Sequence, residues 1–146
     1  AFDGSADNPY LPANQIEEAV IYTGTHDNDT VVGWYAGLSE GTRRYVHEVL
    51  HCSPADMPAA LIDAVWHSPA RVAMLPLQDL LGLGAQARMN TPGTTQGNWA
   101  WRFKWSQVSP DFAARWRALA AASGRLRIKA GEAPVEGEVA RRLVCP

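Results

Sequence analysis

The stretch from Ala19 to Thr30, Ala-Val-Ile-Tyr-Thr-Gly-Thr-His-Asp-Asn-Asp-Thr, constrains the fold more than any other part of the chain. Its first four residues are a short apolar run, β-branched and aromatic enough to predict a buried strand. Gly24 breaks the run, and six polar residues follow in immediate succession, from Thr25 to Thr30. Parallel α/β barrels present chemical groups in this way: the strands fill the core, and the loops after their C-terminal ends carry the reactive side chains. The same design returns further along the chain. Arg71 to Leu77 is short and apolar, and Gln78-Asp79 stands where it ends. A long loop rich in glycine, threonine, asparagine and tryptophan then runs from Arg88 to Arg102. The fold class expected is therefore α/β.

Around these two units the pattern is helical. Tyr45, Val46, Val49 and Leu50 predict a helix after Ser39, and Ala59 to Ser68 reads as a second, stopped by Pro69. Ser53-Pro54 resembles an N-cap and first-turn pair, and Ser109-Pro110-Asp111 starts a last helix that ends near Ser123-Gly124. Residues 1–15 read as a loop of turn signals, and the tail after Ala130 as weakly ordered, with a short helix around Val139 to Leu143. A net charge of −2 gives no reason to expect a nucleic-acid or anionic-membrane surface. No apolar run approaches the ~20 residues of a membrane span. Cys52 and Cys145, the two cysteines, fit neither a metal spacing nor a disulfide framework, so a reducing cytoplasm is expected.

The chemistry has to come from the two loops. Asp27, between His26 and Asn28, is a carboxylate beside neutral donors, suited to gripping hydroxyls and supporting a cationic transition state. Asn90, Gln96, Asn98, Trp99 and Trp101 are the residue types that line carbohydrate sites, where amides pair with adjacent hydroxyls and indoles stack on a pyranose. Plainer readings stay open. His26 to Thr30 is also what an Asx-rich turn capping a helix looks like, and the oxygens of Asp27, Asn28 and Asp29 suit a hard cation. His47, His51 and His67 read as surface or capping groups, and Trp34 and Trp116 as core. Asp79 is either a catalytic carboxylate or a holder of Arg88 or Arg102.

Taken as motifs, Tyr22-Thr23-Gly24-Thr25-His26-Asp27-Asn28-Asp29-Thr30 resembles the signature loop of the amylomaltases, the 4-α-glucanotransferases or disproportionating enzymes of the α-amylase superfamily. Gln78 to Gly84, Ala87 to Thr94 and Gly97 to Arg102 resemble that family's second signature, and Asp7 to Pro12 its preceding loop. The resemblance spans Phe2 to about Leu126. It departs at Ala13, where the family usually has histidine, at Gln86, where it has glutamate, and in the tail after Arg127.

The resemblance implies the C-terminal part of a (β/α)8 TIM barrel, with residues 1–127 supplying its last strands, their loops and C-terminal helices, and 128–146 a tail. It implies transfer of α-1,4-glucan segments between maltooligosaccharides by a retaining double displacement, with glucans of the starch or glycogen type as partners and no metal or organic cofactor. Asp27 matches the carboxylate that stabilises the distorted, oxocarbenium-like sugar, His26 a hydroxyl donor beside it, and Asn90 a substrate contact across the cleft. Asn98 and Trp99 complete the expected substrate-binding set. The nucleophile and the acid/base lie upstream in that family. A barrel needs ~250 residues, so the chain is expected to lack the N-terminal part of its own barrel and to be inactive alone. A hydrolase of the same superfamily and a non-catalytic glucan-binding piece are the alternatives.

Overall fold

A computed structural model of the chain describes residues 1–126; the expected tail at 128–146, with its short helix, lies outside the described residues. Two strands, β1 (Val20–Tyr22) and β2 (Val72–Met74), pair in parallel, with Val20 opposite Val72, Ile21 opposite Ala73 and Tyr22 opposite Met74. Parallel neighbours require a long crossover. Here it is built from α1 (Val31–Ala36), α2 (Glu40–Leu50) and α3 (Ala59–His67). After β2 come a single turn of helix, α4 (Leu77–Leu80), the long glycine-rich loop, and α5 (Phe112–Ala122), which packs on α3.

The helices begin and end where local chemistry dictates. Ser39 caps α2 by accepting from the Thr42 N–H at 3.1 Å, and His51 closes it in the left-handed conformation at φ 49°. Ser53 and Asp56 form a reciprocal capping box on a separate 3-10 turn, Pro54–Asp56, so the Ser53-Pro54 pair does not open α3, which starts only after Pro58. Arg125, just beyond α5, reaches back to donate to the carbonyls of Trp66, Ser68 and Ala70, fixing the bend that leads into β2.

Because side chains alternate along a strand, the two faces of the β1–β2 pair have different neighbours. Ile21 and Ala73 face the helices; Ile21 joins Val31, Leu61, Val65 and Ala70 in a buried cluster against which Ala73, Trp34 and Leu50 pack. Val20, Tyr22, Val72 and Met74 point the other way and remain 43–50% exposed. A hollow of about 750 Å³, lined by Phe2, Ile21, Val31, Trp34, Leu61 and Val65, lies beside β1. Four large apolar side chains on one face are the inner wall of a sheet that is curved and closed elsewhere in its class.

Two predictions follow from this packing. The chain alone should self-associate through that face, and Val72→Lys with Met74→Lys should shift it toward monomer by light scattering; a monodisperse wild-type monomer is the contrary result. Burial pushes the Asp63 carboxyl above the usual carboxylate range, against the pull of the His67 imidazole 3.2 Å away. Its charged form is thus disfavoured in the folded chain, so the group subtracts stability at neutral pH and that cost is relieved as pH falls through its raised pKa. Asp63→Asn should therefore raise the unfolding free energy measured in urea at neutral pH, by less than about 1 kcal/mol, and lose the advantage in mild acid.

Candidate functional site

Asp79 ties the two βα loops together. It sits in α4, just after β2, and is 3% exposed. One carboxylate oxygen accepts the Thr23 hydroxyl at 2.6 Å, and the other accepts the Val31 N–H at 2.8 Å, the first amide of α1. Neither Arg88 nor Arg102 is its partner, contrary to the expectation from residue type. A carboxylate from the second unit thus satisfies one of the open donors at the start of a helix in the first.

The six polar residues after Gly24 divide their work. Asn28 Oδ1 accepts from the Thr25 amide at 2.8 Å and its hydroxyl at 2.9 Å, while the Asn28 amide donates to the Thr25 carbonyl at 3.1 Å, so the two residues close a turn reciprocally. Asp29 Oδ1 accepts from the Thr30 amide at 2.7 Å, and Thr30 caps α1 by accepting from the Gly33 N–H at 3.1 Å. Glycine at 33 leaves room for this carboxylate: a Cβ there would lie 2.4 Å from Asp29 Oδ1 and push it off the Thr30 amide. The capping reading of this loop therefore holds for Thr30, with Asp29 bracing its amide, while Asn28 closes the turn that precedes them. The oxygens of residues 27, 28 and 29 are drawn to three different places and do not converge as cation ligands do.

Asp27 is left over for something else. Its Oδ1 accepts from Asn90 Nδ2 at 2.6 Å, across 63 residues of sequence, and lies 3.4 Å from His26 Nε2. No described residue donates to its Oδ2, and its side chain is 50% exposed. The Asn90 amide donates to the His26 carbonyl at 3.1 Å, so the two loops also meet through their main chains. Trp99 stands over this junction with its ring 5.0 Å from that of His26. It stands at φ 61°, unusual for a bulky residue, with its N–H donating a hydrogen bond to the Met89 carbonyl at 2.7 Å. Beside the junction opens a cleft of about 670 Å³ lined by Tyr22, His26, Asp79, Arg88, Met89 and Trp99 among others.

The structure thus gathers His26, Asp27, Asn90 and Trp99 and sets Asn98 apart. Asn98 Oδ1 accepts from the Thr91 amide at 2.9 Å, and its Nδ2 donates to Thr94. Its amide is engaged in bracing the loop. Arg88 is the participant that residue type did not single out; its guanidinium reaches the carbonyls of Asp27 and Asn90. His47 bonds the Tyr35 hydroxyl, His51 ends α2 and His67 pairs with Asp63, all outside this junction. Among the described residues no helix is long and apolar enough to cross a membrane.

A parallel strand pair backed by helices, with a polar cluster at the strands' C-terminal ends, is the arrangement found at the catalytic face of a (β/α)8 barrel. Residues 1–108 match the profile of glycoside hydrolase family 77, described as 4-alpha-glucanotransferase, and the chain belongs to that family. It is 49% identical over 112 residues to a chloroplastic 4-alpha-glucanotransferase of Oryza sativa, covering 76% of this chain and 19% of the relative. To the 4-alpha-glucanotransferase of Thermus thermophilus it is 42% identical over 134 residues, covering 86% and 27%. The amylomaltase from Streptococcus agalactiae, solved with acarbose, superposes with a TM-score of 0.80 at 26% identity, over 86% of this chain and 26% of that one. The chain thus spans about a fifth to a quarter of the length of the relatives it matches.

The Asp79 bridge makes a stability prediction. Asp79→Ala leaves the Val31 amide and the Thr23 hydroxyl without their acceptor and should cost about 2–3 kcal/mol in urea unfolding. Asp79→Asn keeps one acceptor and should cost less; equal stability of both variants with wild type would refute the bridge.

Proposed function

We propose that the chain is the C-terminal portion, residues 1–127, of the barrel of a cytoplasmic 4-α-glucanotransferase. The enzyme moves α-1,4-glucan segments between maltooligosaccharides derived from starch- or glycogen-type glucans. The cytoplasmic assignment rests on the separation of Cys52 and Cys145 in sequence. The observation that carries the functional reading is the Asn90–Asp27 contact at the strand ends, with no described residue donating to Asp27 Oδ2 and the Trp99 ring set against the adjacent His26.

The reaction is a retaining double displacement. A nucleophile from the upstream part of the barrel forms a covalent glycosyl-enzyme, and an acid/base carboxyl protonates the departing sugar and then deprotonates the incoming 4-hydroxyl. Asp27 is neither of these. Its fixed oxygen, loaded by Asn90, orients the carboxylate so that the open one grips hydroxyls of the sugar at the cleavage point. That grip tightens as the ring flattens and positive charge develops. His26 donates to a hydroxyl alongside, Asn90 lies across from it, and Trp99 offers an aromatic face to the ring. Asn98 contributes by shaping the loop that carries Trp99. The piece described here lacks the nucleophile and acid/base, so alone it turns nothing over; its immediate partner is the rest of its own barrel.

The test uses the full-length parent chain with maltotriose, its products separated by size. Wild type should give glucose together with longer maltooligosaccharides, and Asp27→Asn should lose roughly 100- to 1000-fold in kcat. Full activity in the variant sinks the role of Asp27. Glucose without longer chains makes the parent a hydrolase, and binding without turnover makes it a glucan-binding protein.

A further inference from the structure

We infer that Arg88 is a positioning residue for this site, acting on Asp27 through the main chain without touching the sugar; the inference rests on the functional reading above. Arg88 Nε donates to the Asn90 carbonyl at 2.7 Å, and a terminal guanidinium nitrogen donates to the Asp27 carbonyl at the same distance. Those are the two residues whose side chains meet at 2.6 Å. A closed circuit results: Asp27 carboxylate to Asn90 amide, along the Asn90 backbone to its carbonyl, through one planar guanidinium, and back to the Asp27 backbone.

The circuit is what makes the side-chain contact specific. Asp27 and Asn90 lie on exposed parts of two long loops from different strands, and a contact between exposed polar side chains is weak on its own. With their main chains joined through a rigid fork of donors, the carboxamide arrives at one carboxylate oxygen, and the other is left facing outward. Lysine cannot take over, since a point ammonium on a flexible stem does not span two carbonyls with planar geometry.

In the full-length parent, Arg88→Ala should lower kcat for maltotriose roughly 10- to 100-fold, the scale of an ångström-level misplacement, with a much smaller change in KM. Arg88→Lys should be nearly as impaired, and added guanidinium should restore part of the Arg88→Ala activity. In an Asp27→Asn background the Arg88→Ala change should cost little more, because its effect passes through the Asp27 carboxylate. An equal, additive loss in that background overturns the inference while leaving the transferase reading intact; so does a change confined to KM. Amide exchange decides the geometry whatever the reaction proves to be. Arg88→Ala should expose the Asn90 and Trp99 amides while those of α3 stay protected. Unchanged protection at both loop amides refutes the circuit, whereas absence of longer maltooligosaccharides from wild type refutes only the proposed activity.

Discussion

A carboxylate that is almost fully buried has to be satisfied on both oxygens, and Asp79 meets that condition by holding two segments that are 48 and 56 residues away. Thr23, at the end of β1, and Val31, at the start of α1, converge on it. Parallel pairing alone brings β1 beside β2 but leaves the loops beyond the strand ends undetermined. The Asp79 bridge fixes where the first of those loops begins and ends, and so where its polar residues stand. Removing it takes away the polar tie between α1 and the second unit and leaves only the apolar packing of Val31 and Trp34 around Ile21.

From that frame the division of labour in the first loop follows. Asn28 closes a surface turn back to Thr25, Asp29 and the buried Thr30 shape the start of α1, and Asp27 is left half-exposed toward the second loop. The second loop answers with Asn90 at the carboxylate and Trp99 over the neighbouring imidazole. The residues that build the turn and the helix start are therefore distinct from the one that meets the second loop, and the carboxylates and amides of this short polar run bond in different directions.

Much of the fold is legible in the residues. The apolar runs mark both strands, the spacing of Tyr45 to Leu50 marks α2, and Pro69 and Gly124 mark where helices stop. What stayed hidden has a common physical origin. Helix α1 is assembled from Val31, Val32 and Gly33, poor helix formers, and it stands because Asp79 and Thr30 cap it; half of that cap lies far away in sequence. Leu77 reads as strand and is helix, since the strand gives way at Leu75-Pro76 to a turn that delivers Asp79. The carbohydrate-type residues of the long loop were visible by kind, yet kind does not distinguish Asn90, which faces Asp27, from Asn98, which holds its own loop together. Arg88 looked like a partner for a carboxylate; its partners are carbonyls, which carry no signature in a sequence.

The grip of Arg125 on the bend between α3 and β2 bears on how such a barrel can be cut and rejoined. One guanidinium beyond the last helix serves the carbonyls of Trp66, Ser68 and Ala70, groups that belong to the approach to the second strand. A boundary for exchanging C-terminal segments between relatives thus falls after Arg125, although the residues that join the two loops, His26, Asp27, Arg88, Asn90 and Trp99, all come earlier in the chain. Placed earlier, the junction would strand those carbonyls in a fold that otherwise looks complete. The recombination unit of this part of the barrel is longer than its functional unit.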